Sequence, residues 1–125
     1  MKKYLMIAAA AATVISGMAV TEAYASGKEK KCAACHNFDA SHKVGPGLAG
    51  VVGRAAGATD FAKYGKDVKA GGWNWDEANL RAWMCDSKGA IKDLSGNAKA
   101  KTKMANQKVC KAADQDEVIA FLKGL

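Results

Sequence analysis

Cys32-Ala33-Ala34-Cys35-His36 is the stretch on which the reading of this 125-residue chain turns. Two thiols lie about one helical turn apart, and an imidazole follows the second at once. Cys-x-x-Cys-His is the c-type haem attachment signal. The thiols add to the two vinyl groups on one porphyrin edge, and the adjacent His sits under the iron and offers Nε2. The small residues at 33 and 34 let the porphyrin edge lie close to the backbone. Other uses of the same residues are weaker. A thioredoxin-like dithiol needs a βαβ context, and none follows. A zinc site needs four ligands; Cys32, Cys35 and His36 crowd one tetrahedral ion, and His42 is the only other histidine. A Cys32–Cys35 disulfide would leave His36 without a role.

Outward from the motif, residues 1–25 read as a cleaved signal peptide. Lys2 and Lys3 form a positive start, Tyr4 to Ile15 is almost wholly apolar, and Ala23-Tyr24-Ala25 has the small-x-small form of a signal peptidase site. The competing reading is an uncut anchor, but Tyr4–Val20 is short for a membrane span and contains Thr13, Ser16 and Gly17. Residues 26–125 are then a single domain with 17 basic and 11 acidic side chains, a net charge of +6. An oxidising compartment follows, the periplasm of a bacterium. Export makes nucleic acid a poor match for the positive charge.

A domain of this size is marginal for a self-sufficient core, and its apolar residues are sparse and mostly Ala. A group added at the centre would complete it. The sixth position on the iron has three candidates after the leader: Met84, Met104 and His42. His42 is too near His36 along the chain to reach the opposite face with ease. Met84 falls on a helical stripe with Leu80 and Trp83 and reads as core. Met104 sits in an irregular basic stretch, 68 residues from His36, and is the favoured ligand.

The pattern is helical, with no sustained strand alternation. A helical turn is expected over Glu29–Cys35, loops over Asn37–Gly57 and a short helix over Asp60–Val68. Asn74-x-x-Glu77 reads as a capping box opening a helix over Asp76–Cys85. Ser87–Met104 reads as turn-rich. Asp114-x-x-Glu117 reads as a second capping box opening a last helix that carries Val118, Ile119 and Leu122.

Cys32-Ala-Ala-Cys-His36, Lys43-Val-Gly-Pro-Gly-Leu48, Val52-Gly-Arg54, Trp75 before a helix and Thr102-Lys-Met104 come in an order that resembles the small class I cytochromes c, over Lys31 to Leu125. The resemblance implies an all-α fold wrapped around one covalent haem c. It implies His36 as proximal and Met104 as distal ligand, with Cys32 and Cys35 as the attachment points. It further implies Pro46 as the residue whose carbonyl orients the proximal imidazole, and Arg54, Trp75 and Tyr64 as partners of haem propionates. Trp73 could exchange roles with Trp75.

Two features depart from the family. Cleavage after Ala25 leaves only a stub where relatives have a full helix before the haem motif; earlier cleavage, near Ala19, would let Thr21–Lys31 be helical. Cys85 and Cys110 are extra. They either pair, closing a loop of about 25 residues for roughly 3 kcal/mol in the chain-entropy model, stay as thiols, or compete for iron.

A haem iron held by His and Met has no open position for substrate, so the expectation is a one-electron carrier rather than an enzyme. Lys43, Lys99, Lys101, Lys103, Lys108 and Lys111 would form a basic surface for acidic redox partners. A monomer is expected, and peripheral contact with anionic membrane stays open. The alternatives are a five-coordinate haem protein that binds small ligands, or a haem subunit of a larger redox enzyme.

Overall fold

The computed structural model describes residues 27–125. The leader reading of residues 1–25, its cleavage site and most of the helix considered for Thr21–Lys31 lie outside the described residues. Among the described residues five helices follow in order: α1 Lys30–Ala33, α2 Lys66–Ala70, α3 Glu77–Cys85, α4 Ser87–Ser95 and α5 Ala112–Lys123. Among the described residues there is no strand element, only one isolated antiparallel bridge between Ala55 and Asn74. The expected all-α architecture is observed.

Several elements start elsewhere than the sequence pattern suggests. The short helix expected over Asp60–Val68 forms at Lys66–Ala70 instead. Residues before it are drawn into side-chain contacts: Asp60 with His42 at 2.6 Å and Thr59 with the Tyr64 hydroxyl at 2.6 Å. The cap of α3 is Asp76, not Asn74. Asp76 Oδ1 accepts from Asn79 N at 2.8 Å, while the Asn74 backbone is committed to the bridge and to accepting from Asn79 Nδ2. The second capping box is also absent. α5 begins at Ala112 with Lys111 as an uncapped N-terminal flank, and Asp114 sits in its first turn facing Lys28 at 3.8 Å.

The turn-rich reading of Ser87–Met104 is corrected by α4. Asp86 caps it, accepting from Gly89 N at 3.0 Å, and Gly96 ends it in the left-handed region. Gly89 hid this helix in the sequence, because glycine weakens a helical reading. The structure gives its reason: a Cβ there would run into the capping carboxylate of Asp86. The stripe that α4 buries is Ala90 and Ile91, the latter fully enclosed.

α3 is the hub, packed against both α4 and α5, while α2 packs on α4. Behind them Trp73, Trp75 and Trp83 form a chain of edge-to-face contacts at 5.6 and 4.8 Å between ring centroids. The segment 53–56 pairs with 73–75 through Gly53 N to Trp75 O (2.7 Å), Trp75 N to Arg54 O (2.8 Å) and Ala56 N to Trp73 O (2.9 Å). This pairing sets Arg54 beside Trp75.

The loop after the Cys-x-x-Cys-His motif is held by His42. Its Nδ1 accepts from Gly47 N at 3.0 Å and its Nε2 meets Asp60 Oδ1 at 2.6 Å. The His42 ring holds the Asp60 carboxyl below the usual carboxylate range. A depressed carboxyl contributes stability above its unfolded pKa and loses it as pH falls through the lower folded value. Asp60→Asn should therefore melt below the wild type at about pH 7, with the gap closing as pH drops beneath about 3.9. Thermal unfolding against pH checks this; a gap independent of pH would contradict it.

Candidate functional site

The motif coils tightly at the end of α1, with Cys35 N and His36 N both donating to Cys32 O at 3.1 and 2.9 Å. Cys32 is half-buried and Cys35 exposed, and the two do not form a disulfide with each other. Burial pushes the Cys32 thiol up, and the Glu29 carboxylate adds to it. His36 Nδ1 lies 2.7 Å from Pro46 O. A carbonyl only accepts, so Nδ1 carries the ring proton and Nε2 keeps its lone pair, the tautomer that a metal-ligating imidazole needs. Burial pushes the His36 pKa down and Arg54 adds to this, against the Pro46 bond. Gly45 makes room for the ring: a Cβ at that position would overlap its Cε1 and Nδ1 atoms. Gly45 N also donates to Cys35 O at 2.7 Å, so the loop closes directly on the motif.

His36 faces a cavity of about 310 Å³, within the range of small-molecule sites, roughly 300–1,000 Å³. Its walls are largely apolar, with Val51, Val68, Leu80, Val118 and Leu122 among them. All eight residues singled out from the sequence line it: Cys32, Cys35, His36, Pro46, Arg54, Tyr64, Trp75 and Met104. Trp73 does not, so geometry sets Trp75 rather than Trp73 at the cavity. His42 is absent from the lining, its ring nitrogens engaged by Gly47 and Asp60. Met84 is buried and lines the wall as well.

Arg54 gives a test of fit. Its Nη1 and Nη2 donate to Ala49 O at 2.9 Å and Gly47 O at 3.2 Å, while Nε is buried without a partner. An orphaned guanidinium donor in the wall of an apolar cavity suits an anionic group on the occupant. Tyr64 is less free, since its hydroxyl is engaged by Thr59. Trp73 Nε1 is also buried and unpartnered, and nothing in the structure explains it.

Trp83 is the residue that sequence reading missed. It reads as apolar core, yet its Nε1 donates to Met104 Sδ at 3.0 Å and its ring lines the cavity. The available signal was the polar handle that an aromatic carries within the buried stripe of α3. Lys31 and Lys63 were missed as well: with Lys103 they line the cavity, whereas Lys43, Lys99, Lys101, Lys108 and Lys111 do not. Cys85 and Cys110 lie at disulfide-bonding distance from each other and also do not line it. Among the described residues no group of three or more His, Cys, Asp or Glu could hold a metal by itself.

Short helices around an apolar cavity, with a Cys-x-x-Cys-His motif on one wall, define the class I cytochrome c fold. The family profile Cytochrome c matches residues 21–125. A cytochrome c2 of Rhodospirillum rubrum is 42% identical over 135 aligned positions, covering 100% of this chain and 99% of that protein. The solved structure of cytochrome c2 from Rhodobacter sphaeroides superposes with a TM-score of 0.71 at 37% identity, over 83% of this chain and 94% of that one. Cytochrome cH from Methylobacterium extorquens gives 0.69 at 33% identity, over 83% and 97%. The chain belongs to the cytochrome c family. It is an electron carrier and not an enzyme, and its cofactor is one covalently attached haem c.

The close approach at Gly45 makes a prediction. Gly45→Ala should lower stability by about 1–3 kcal/mol, the range for overpacking. Gly65→Ala, whose Cβ meets Lys103 Cγ at 3.8 Å and Lys101 O at 4.0 Å, both ordinary contacts, should cost less than about 1 kcal/mol as an N-cap change. Denaturant unfolding of the two variants checks the difference; equal midpoints would contradict it.

Proposed function

We propose that residues 26–125, exported to the periplasm after loss of the leader, work as a monomeric one-electron shuttle. In this reading Cys32 and Cys35 would carry the haem by thioether bonds, and His36 and Met104 would supply the two protein ligands to its iron. The observation that carries it is that His36 and Met104, from segments far apart in sequence, line one cavity, with the His36 proton fixed on Nδ1. The haem supplies a one-electron Fe(III)/Fe(II) change, and Met/His ligation favours a raised potential.

The chain's own residues do the rest. Pro46 O orients the imidazole and holds its Nδ1 proton. Arg54 and Trp75 are the partners of buried propionate charge, with Tyr64 a further one. The apolar walls exclude water, which limits the rearrangement that accompanies electron transfer. The Cys85–Cys110 bridge forms in the oxidising compartment and ties the end of α3 to the segment before α5.

Electron exchange takes place at the basic rim. Lys31, Lys43 and Lys103 each donate to a backbone carbonyl, on Gln107 (3.1 Å), Ala33 (3.0 Å) and Lys63 (3.0 Å) respectively. These contacts fix the ammonium groups without cancelling their charge. The carboxylates of Asp114, Asp116 and Glu77 are instead matched by Lys28, Arg81 and Lys123. The rim therefore keeps a local positive excess that favours short-lived encounters with acidic redox proteins.

Two measurements test this. Met104→Ala should remove the Met-to-iron charge-transfer band of the ferric protein and open the ferrous form to rapid carbon monoxide binding. An unchanged spectrum would contradict Met104 ligation. Replacing both Lys31 and Lys103 by Glu should slow electron transfer to an acidic partner about tenfold or more at low ionic strength. The effect should shrink to about twofold near 1 M salt, where the screening length is about 3 Å. Equal slowing at both salts would remove the docking reading.

A further inference from the structure

Met104 lies in a stretch, residues 101–111, with neither helix nor strand. Irregular backbone of this kind ordinarily turns its polar groups to water, yet each polar atom of Met104 has a protein partner. Its N–H donates to Thr102 Oγ1 at 3.2 Å, its sulfur accepts from Trp83 Nε1 at 3.0 Å, and its carbonyl accepts from Ser87 Oγ at 2.9 Å. The last contact is the unusual one. Ser87 has 0% exposure and ranks with Ile91 and Val118 among the most enclosed side chains.

A serine at the start of a helix commonly serves its own helix or solvent. Here Asp86 already caps α4 through Gly89 N, and solvent is excluded, so the Ser87 hydroxyl faces the loop. It also lies 3.1 Å from Asn106 Oδ1, which accepts from Lys88 N at 3.0 Å. Both ends of the short run 104–106 are thus pinned to the first turn of α4.

We propose that Ser87 is a positioning residue for Met104: a buried hydroxyl that anchors the main chain of the residue whose sulfur closes the haem face. The proposal rests on Met104 as distal ligand. Swinging Met104 away requires its carbonyl to leave Ser87 at a place that water does not reach, and a buried polar group stripped of its partner is costly. Ser87 does not line the cavity and acts through Met104. Its removal should ease displacement of Met104 by an outside ligand.

The test is imidazole binding to the ferric holoprotein, followed by loss of the Met-to-iron charge-transfer band. Ser87→Ala should bind imidazole about tenfold more tightly than wild type, the ratio set by one lost buried hydrogen bond. Ile119→Val, a core change on α5, should lower thermal stability without altering imidazole affinity. In a Met104→Ala background, Ser87→Ala should have no further effect. Wild-type affinity in Ser87→Ala, or the same shift in Ile119→Val, would overturn the proposal while leaving the ligand assignment standing. If Met104→Ala itself bound imidazole like wild type, the ligand assignment would fall and the proposal with it.

Discussion

The interaction on which the rest depends is the bond between His36 Nδ1 and the Pro46 carbonyl. It fixes a half-buried imidazole in one tautomer and one orientation, and it ties the motif at the end of α1 to the loop that wraps the cavity. Gly45 must be glycine for that loop to lie against the ring. Gly47, one residue beyond Pro46, is in turn held by His42 and Arg54. A run with no regular secondary structure is thus made definite by side-chain to backbone bonds, as a loop with buried polar groups must be.

The same logic recurs on the opposite wall. The Met104 segment has no helix of its own and is fastened to the α3–α4 corner. Ser87 and Trp83 hold Met104, while Val109 N and Lys108 N donate to Met84 O and Cys85 O at 3.0 and 3.2 Å. Helices α3 and α5 supply rigidity, and the two loops supply chemistry. Small domains face a shortage of apolar area, and here the walls of Val51, Val68, Leu80, Val118 and Leu122 enclose a cavity rather than a filled centre.

What was legible in the sequence was what depends on residue identity at short range. Cys32, Cys35 and His36 stand out by spacing and are found together on one cavity wall, and the stripe Leu80, Trp83 and Met84 announces α3. Hidden were the features set by distant partners. α4 was masked by Gly89, whose need is visible only once the Asp86 carboxylate is seen beside it. The caps at Asn74 and Asp114 were plausible locally but lost to the bridge with Ala55 and to an earlier helix start at Ala112. Ser87 opened a stretch read as turn-rich, and its partner lies 17 residues away. The basic rim was read in part: Lys103 was identified, but Lys31 and Lys63 come to the cavity from other segments.

The four cysteines fall into two pairs by their place in the fold. Cys32 and Cys35 line the cavity beside His36, and Cys85 and Cys110 face each other away from it. Peptide mass analysis of the purified exported protein, digested without reduction, tests that division most directly. The account predicts haem mass on the peptide Cys32–Lys43, and a haem-free pair of peptides linked through Cys85 and Cys110. Haem on the Cys85 or Cys110 peptide, or an unmodified Cys32–Lys43 peptide, would contradict it.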